Sequence, residues 1–591
     1  MNALVTLISA AALTASPYTV DLTRYFPNDA AEQADRATLL ANVAAFETQT
    51  AAGLATPTAF AGWLGTYDRL SKNLQKHDAY VYLRAEANHN DRLDAAADEV
   101  LGGALLQLDA AVVGTLGDLG PAALHRLLGE DPELAPYAHF VDDGLMRAAH
   151  ESKGREAVAL LARPALDSLA NAYKTLRQHA LALASAPGPA SGETKYGAKW
   201  TPYLRDEDAF AALLLPLVSL QNGKAKIQGF TGAPEAAYFQ AGLSVAEVHA
   251  VLAAVKDSDA QTRYQSMVAE AAAKRLHVPS SDVKIWNLDA ANNFSPPVVS
   301  FPDAVPMILL AERPMGAEYA GQYVRLFDPT AHRVQWCHET QCDDAGFSVG
   351  FAGLTSGVFY GNYQGTPESM RAVAHEAGHA VHRQLMSENQ PLAVYNRGPK
   401  FVFESVAIFN ELLFLDHLYR SAPSPAAKAY YLRKWLDDVV FQIYGSAQET
   451  DLEESIYAGA LAGNVRTASD LDALTLQVFA SYQGASFVEP MMKVDWARNR
   501  LYFTDPLYDV NYLFAGLLAL EYFQQFENDP RGFSQRYLAF LKGGFADTPQ
   551  ALERKTLGIE LDDGTRLVDN AASMIKRRTA ELSKLYSVVL P

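Results

Sequence analysis

Cysteine is nearly absent from this chain. Its 591 residues include two, Cys337 and Cys342, in Trp336-Cys-His-Glu-Thr-Gln-Cys342. That scarcity excludes a disulfide scaffold and every cysteine-rich metal module. The close pair suggests a disulfide closing a hairpin tip, and with it an oxidising compartment; two free thiols, or an incidental metal site with His338, are the alternatives. Basic charge is also short: 49 Lys and Arg stand against 68 Asp and Glu, a net charge of −19. Nucleic-acid binding, which leaves a basic footprint, is thereby disfavoured. No apolar run reaches the length of a membrane-spanning helix, and no repeat of 20–50 residues is apparent. Lys and Arg are missing before Arg24. Residues 1–17 thus carry the apolar and small-residue part of a secretory signal without its basic start. Together these features favour the periplasm or secretion, with a cytoplasmic location as the alternative.

Long helical patterns are abundant. Residues 32–185 read as successive helices, Ala186-Pro-Gly-Pro-Ala-Ser-Gly192 as a loop and a boundary, and 193–290 as further helices. Ser244-x-x-Glu247 is a capping box. The pattern turns β-rich between about 296 and 365, with Val298–Phe301, Tyr323–Phe327 and Gly357–Tyr360 as candidate strands, and returns to helix from residue 400. A chain of this length exceeds one simple core and calls for two or more lobes.

The chemistry concentrates in His375-Glu376-Ala377-Gly378-His379. Residues four apart share a helix face, so His375 and His379 can offer two imidazoles to one ion. Glu376 lies about 100° around the helix, placed to take a proton from a water on that ion. Thr366-Pro367-Glu368 supplies an N-cap, a proline at the first helical position and an acid in the first turn. Gly378 is costly in a helix interior by about 1 kcal/mol, which makes sense if another element passes close by.

Zinc needs a third protein ligand and an open position for water. His382 shares the face, but its Cα lies about 10 Å along the axis from that of His375. Glu404, in the apolar run Phe401–Leu413, is the better candidate: a carboxylate among Phe, Val and Ile must be paired or bind metal. Glu411, two turns further along, can steady a ligand imidazole by its other nitrogen or pair with a distant Arg or Lys.

Taken with Gly361-Asn-Tyr-Gln-Gly-Thr366 and Phe409-Asn-Glu411, these residues resemble the oligoendopeptidase F and thimet oligopeptidase family of zinc metallopeptidases. Arg263–Met267, Val283–Leu288 and Tyr537–Gly544 extend the likeness, strongly from about residue 260 onward and loosely before it. The resemblance implies a mainly α, two-lobed peptidase with a deep central channel and a small sheet beside the zinc helix. It implies an N-terminal helical region over 18–192 and a catalytic region over 193–591, with the zinc site in 366–415 and helices over 430–591. One zinc per chain would be held by His375, His379 and Glu404. Short unstructured peptides would be cut inside the channel by a metal-activated water, with Glu376 as base.

Further roles follow from the same resemblance. The substrate backbone would pair with the strand around Tyr360, Gly361, Asn362 and Tyr363. Tyr508 or Tyr512 would donate to the oxyanion; core packing is the other reading of that pair. A peptidyl-dipeptidase releasing C-terminal dipeptides is the alternative activity, with Arg397 as the cation for the substrate carboxylate. A catalytically inactive peptide-binding protein is the remote one.

Overall fold

The computed structural model describes residues 18–87, 92–151, 153–184, 192–336, 346–351, 353–361, 363–483 and 487–589. Residues 1–17, Cys337, Cys342 and Asn362 lie outside the described residues, as does the 186–192 loop except Gly192.

Asn28 accepts the N–H of Ala31 and opens α1 (Asp29–Glu47), which is followed by α2 (Pro57–Ala87), α3 (Arg92–Glu130) and α4 (Ala138–Ala148). Their apolar faces close a first core around Phe46, Trp63, Leu108, Leu124 and Val141. By length and composition Ala96–Glu130 could cross a membrane, contrary to the expectation that no stretch qualifies. Its apolar length has a packing reason: Leu101, Leu108, Leu116 and Leu127 are buried in the first core. Gly120 (φ 72°) before Pro121 also breaks its helical geometry. The next helix, α5 (Lys153–Ala184), turns Tyr173 and Ala180 into a second, larger core that runs to the C-terminus. The capping box at Ser244 and Glu247 forms as expected.

Two of the three expected strands are absent. Ser300 caps the helix Phe301–Glu312, with Pro302 in its first turn, and the segment before it joins no sheet. Tyr323–Phe327 ends the helix Ala317–Phe327, where Tyr319, Tyr323, Leu326 and Phe327 bury one face. The helical period there outweighs the β preference of the individual residues. Gly357–Tyr360 does lie in a strand. Among the described residues the sheet is β1 (Val334–Trp336), β2 (Gly346–Phe351) and β3 (Leu354–Tyr360), in the order β1-β3-β2. The outer strands β1 and β2 do not pair with each other, so those on either side of Cys337 and Cys342 are not the hairpin expected from the sequence.

Strand β3 fastens the two cores together. Val358 and Tyr360 enter the larger core, whereas Phe359 enters the first core with Val349 of β2, as the period of a strand dictates. Phe347 stacks on Phe359 at 4.9 Å and meets Tyr82 of α2 at 4.6 Å.

Thr366 accepts the N–H of Ser369 and starts α6 (Pro367–Asn389) where the sequence indicates. The following α7 (Lys400–Ser421) is buried on nearly every face, enclosed by α6, the helix Pro425–Val440 and α8 (Asp509–Asn528). At the α6–α7 crossing a Cβ on Gly378 would sit 2.7 Å from Asn410 Nδ2 and 3.2 Å from the Cα of Ala407. Asn410 cannot retreat easily. Its Nδ2 donates to Val406 O at 2.7 Å, and its Oδ1 accepts from Tyr319 and Tyr323 at 2.9 and 2.6 Å.

Gly378→Ala tests this contact. Helix propensity favours alanine by about 1 kcal/mol, but overpacking costs about 1–3 kcal/mol. The expected result is a lower Tm together with weaker metal retention, measured by thermal denaturation and metal titration. A more stable variant with unchanged metal affinity would mean that α7 is free to recede.

Candidate active site

Residues His375, Glu376 and His379 sit in the middle of α6, and Glu404 comes across from the first turns of α7. One atom each of His375, His379 and Glu404 lies within 4.8 Å of the others. Glu404 Oε2 is 3.4 Å from His375 Nε2 and 3.6 Å from His379 Nε2, and this oxygen has no hydrogen-bond partner among the described residues. The three side chains are 17, 11 and 10 % exposed, so the cluster is sheltered yet reachable. Two imidazole nitrogens and one carboxylate oxygen converge here, and they form a donor set that zinc accepts. Burial opposes a charge on His375, but Glu411 and Glu404 outweigh it and hold the imidazole pKa well above its usual value. The cluster favours a positive charge at its centre.

Behind the ligands, His375 Nδ1 is hydrogen-bonded to Glu411 Oε1, and the other oxygen of Glu411 accepts from Arg371. Arg371 also reaches Asp438 Oδ1 at 2.9 Å. Glu411 therefore contacts both an imidazole and an arginine, the two kinds of partner considered for it from the sequence. Burial alone would raise the Glu411 pKa, yet Arg371 and His375 bring it down to about 2. Burial raises the Asp438 pKa well above the usual carboxylate value, and neighbouring Glu411 adds to this. Glu376 makes no hydrogen bond among the described residues, and its pKa is raised chiefly by burial. A Cβ on Gly346 of β2 would come within 3.3 Å of Glu376 Oε1.

Residues 319–565 match the model of Peptidase family M3, a span that holds every one of these side chains. An oligoendopeptidase F homolog of Lactococcus lactis subsp. lactis (strain IL1403) is 26 % identical over 271 residues. Over residues 319–565 the chain is thus similar to Peptidase family M3, and over part of its length to oligoendopeptidase F. The aligned stretch covers 46 % of this chain and 44 % of that relative, less than half the length of each. Oligopeptidase PepF of Bacillus subtilis (strain 168) is 20 % identical over 559 residues, 88 % of this chain and 80 % of the relative. Oligoendopeptidase-F from Enterococcus faecium has the same fold, with a TM-score of 0.66 at 17 % identity over 94 % of this chain and 99 % of that one.

The two tyrosines of the site stand apart in what they touch. Tyr508 donates to Glu404 Oε1 at 2.7 Å, so its hydroxyl is engaged on a ligand. Tyr512, ring to ring with Tyr508 at 5.2 Å, lines a cavity of about 470 Å³ together with His375, Glu376 and Glu411. The expected substrate strand needs correction. Both edges of β3 are filled at Tyr360, which pairs with Trp336 on one side and Gly346 on the other, and its buried hydroxyl donates to Val373 O. Of the two outer strands it is β2 that lies along α6, from Glu376 to Arg383. Gly361 follows β3, and Tyr363 donates to Val299 O at 3.1 Å beside Phe301. Arg397 lines a different, larger cavity of about 890 Å³ between α3–α5 and the C-terminal segments, and is not among the residues of the 470 Å³ cavity. His382 is buried against Phe403, with a pKa pushed down to about 3 by burial and by Arg383, and it takes no part in the metal cluster.

Arg371 and Asp438 escape a reading of the sequence. Arg371 lies one turn before His375, a spacing that could have drawn attention to it; Asp438 arrives from a distant helix and carries no local signal. The π-helical turn Phe441–Gly445, which brings Phe441 and Gln442 to the cavity wall, is equally silent in the sequence. Removing the guanidinium in Arg371→Met should lower metal affinity by about 10–100-fold, as is usual when the group orienting a ligand is lost. Competition against a chelator measures this. An unchanged affinity would mean that Glu411 keeps its orientation without Arg371.

Proposed function

We propose that this chain is a zinc-dependent oligopeptidase that hydrolyses short, unstructured peptides. The observation that carries the reading is the convergence of His375, His379 and Glu404 with Glu376 beside them on α6. Zinc held there supplies an electrophile for the scissile carbonyl and lowers the pKa of a water. Glu376 accepts that water's proton and passes it to the leaving amine. Its burial, which raises its pKa, suits a group that must take up and release a proton in one cycle. Tyr512 faces the same cavity and donates to the carbonyl oxygen as negative charge develops on it. Tyr508 holds the far oxygen of Glu404 and so orients the ligand. The edge of β2, close to Glu376, offers main-chain partners to an extended peptide. Cavities of about 470 and 890 Å³ have room for an extended peptide segment.

A quenched fluorescent peptide, assayed before and after chelation, tests the reading. Cleavage should stop on metal removal and return with zinc; cleavage indifferent to chelation would sink it. Glu404→Ala should lose the metal. Glu376→Gln should keep it while losing turnover by about 10²-fold or more.

The tyrosines are separable in the same assay. Tyr512→Phe should lower kcat by about 10²–10³-fold with little change in KM, because its hydroxyl acts in the transition state. Tyr508→Phe should instead weaken zinc retention. The opposite pattern, with the kcat loss at position 508, would exchange the two roles.

A further inference from the structure

The 470 Å³ cavity beside the metal ligands is lined by charged groups that the metal cluster does not use. Four arginines line it: Arg177 from α5, Arg371 from α6, and Arg498 and the more exposed Arg500 from the segment before Tyr508. Two are already spent. Arg371 is bound to Glu411 and Asp438, and Arg498 Nε is 2.6 Å from Asp495 Oδ1. Arg177 and Arg500 have no ion pair among the described residues, and Arg177 Nε is buried without a hydrogen-bond partner. An orphaned, sheltered guanidinium donor costs free energy unless something outside the chain meets it.

The carboxylates nearby are poorly placed to serve. Asp509 receives Asn499 Nδ2 at 2.9 Å and has its pKa pushed up to about 8, by burial and by Glu453. Burial, with Asp509 and Asp495, also raises Glu449 well above the usual range. Neither carboxylate forms an ion pair with Arg177 or Arg500 among the described residues.

The two arginines also come from different parts of the chain to one place. Tyr173, one turn before Arg177, stacks on Phe503 at 3.9 Å and donates to Ala497 O at 3.2 Å, which ties α5 to the segment carrying Arg500. Their common position is therefore fixed by packing and not by mutual attraction.

We propose that Arg177 and Arg500 together receive a carboxylate of the bound peptide inside the metal cavity. This rests on the peptidase reading above. Guanidinium is suited to the task because it offers a planar fork of donors that matches a carboxylate. Two sources supply that group, the peptide's C-terminus or an Asp or Glu side chain. The first would fix the cut a set number of residues from the end, and the second would select sequence.

The test uses the zinc-loaded full chain and two substrate pairs. The first is a peptide without acidic residues, as free acid and as C-terminal amide. The second is the amidated peptide with and without one internal Glu. The readout is the ratio of kcat/KM within each pair, in which any general loss through misfolding cancels. The wild-type ratio should favour the carboxylate by about 10–100-fold, the worth of a charge-assisted contact. In Arg500→Gln and Arg177→Gln it should collapse towards one, chiefly through KM, with Arg500→Lys retaining part of it. Collapse in the first pair assigns the C-terminus; collapse in the second assigns an acidic side chain. A wild-type ratio near one in both pairs, or ratios that survive both substitutions, overturns the proposal while leaving peptide cleavage intact. Failure to cut any of the three peptides counts against the peptidase reading itself.

Discussion

Gly378 lies against Ala407 and Asn410, and the close approach of α6 and α7 that results sets every distance at the metal site. With no side chain between the helices at that point, Glu404 reaches to 3.4 and 3.6 Å from the two imidazoles one turn away. Asn410 makes the spacing firm because it is bonded on both sides, to its own helix and to Tyr319 and Tyr323. Those tyrosines belong to the helix Ala317–Phe327, so the spacing of the ligands is buttressed by a third element.

Burying two carboxylates on one apolar helix is expensive unless each is fully engaged. Helix α7 meets this in the same way twice. Glu404 turns one oxygen towards the two imidazoles, where a metal would engage it, and gives the other to Tyr508; Glu411 gives one to His375 and the other to Arg371. Each carboxylate thus faces the site with one oxygen and is held from behind by a donor. The holders differ in kind, a neutral hydroxyl at the ligand and a guanidinium behind it. This matches their tasks, since a cation beside Glu404 would compete with the metal, whereas one beside Glu411 keeps it ionised and able to steady His375.

The segment leading to Tyr508 separates the two cavities. Arg498–Leu501 and Tyr512 line the smaller one, whereas Phe503, Thr504 and Pro506 line the larger. At its end Leu507 adopts φ 62°, a left-handed conformation that costs a non-glycine residue about 1–2 kcal/mol. Buried Glu453 accepts its N–H at 2.8 Å and holds the turn, which sets the direction in which Tyr508 leaves for Glu404. Phe503, clamped under Tyr173 of α5, ties the same segment to the N-terminal part of the chain. The wall between the cavities is in this way held at two points within the larger core, whereas β3 joins the two cores.

How much of this could be read in the sequence follows from the range of each interaction. The sequence by itself determined what one helix encodes locally: the shared face of His375 and His379, the Thr366 cap, the need for a close neighbour at Gly378, and Glu404 and Glu411 on one stripe of α7. Such features repeat with the helical period, so spacing alone reveals them. The candidate strands at 298–301 and 323–327 misled because residue preferences are weak beside a burial pattern set by neighbours far along the chain. Tertiary structure alone decided that Tyr508 serves Glu404 while Tyr512 faces the cavity, although the two lie four residues apart. It decided that β2 and not β3 is the edge beside Glu376, that Asp438 joins Arg371, and that Arg177 and Arg500 meet in one cavity. Each of these depends on which surfaces of distant segments come together, and local spacing carries no record of that.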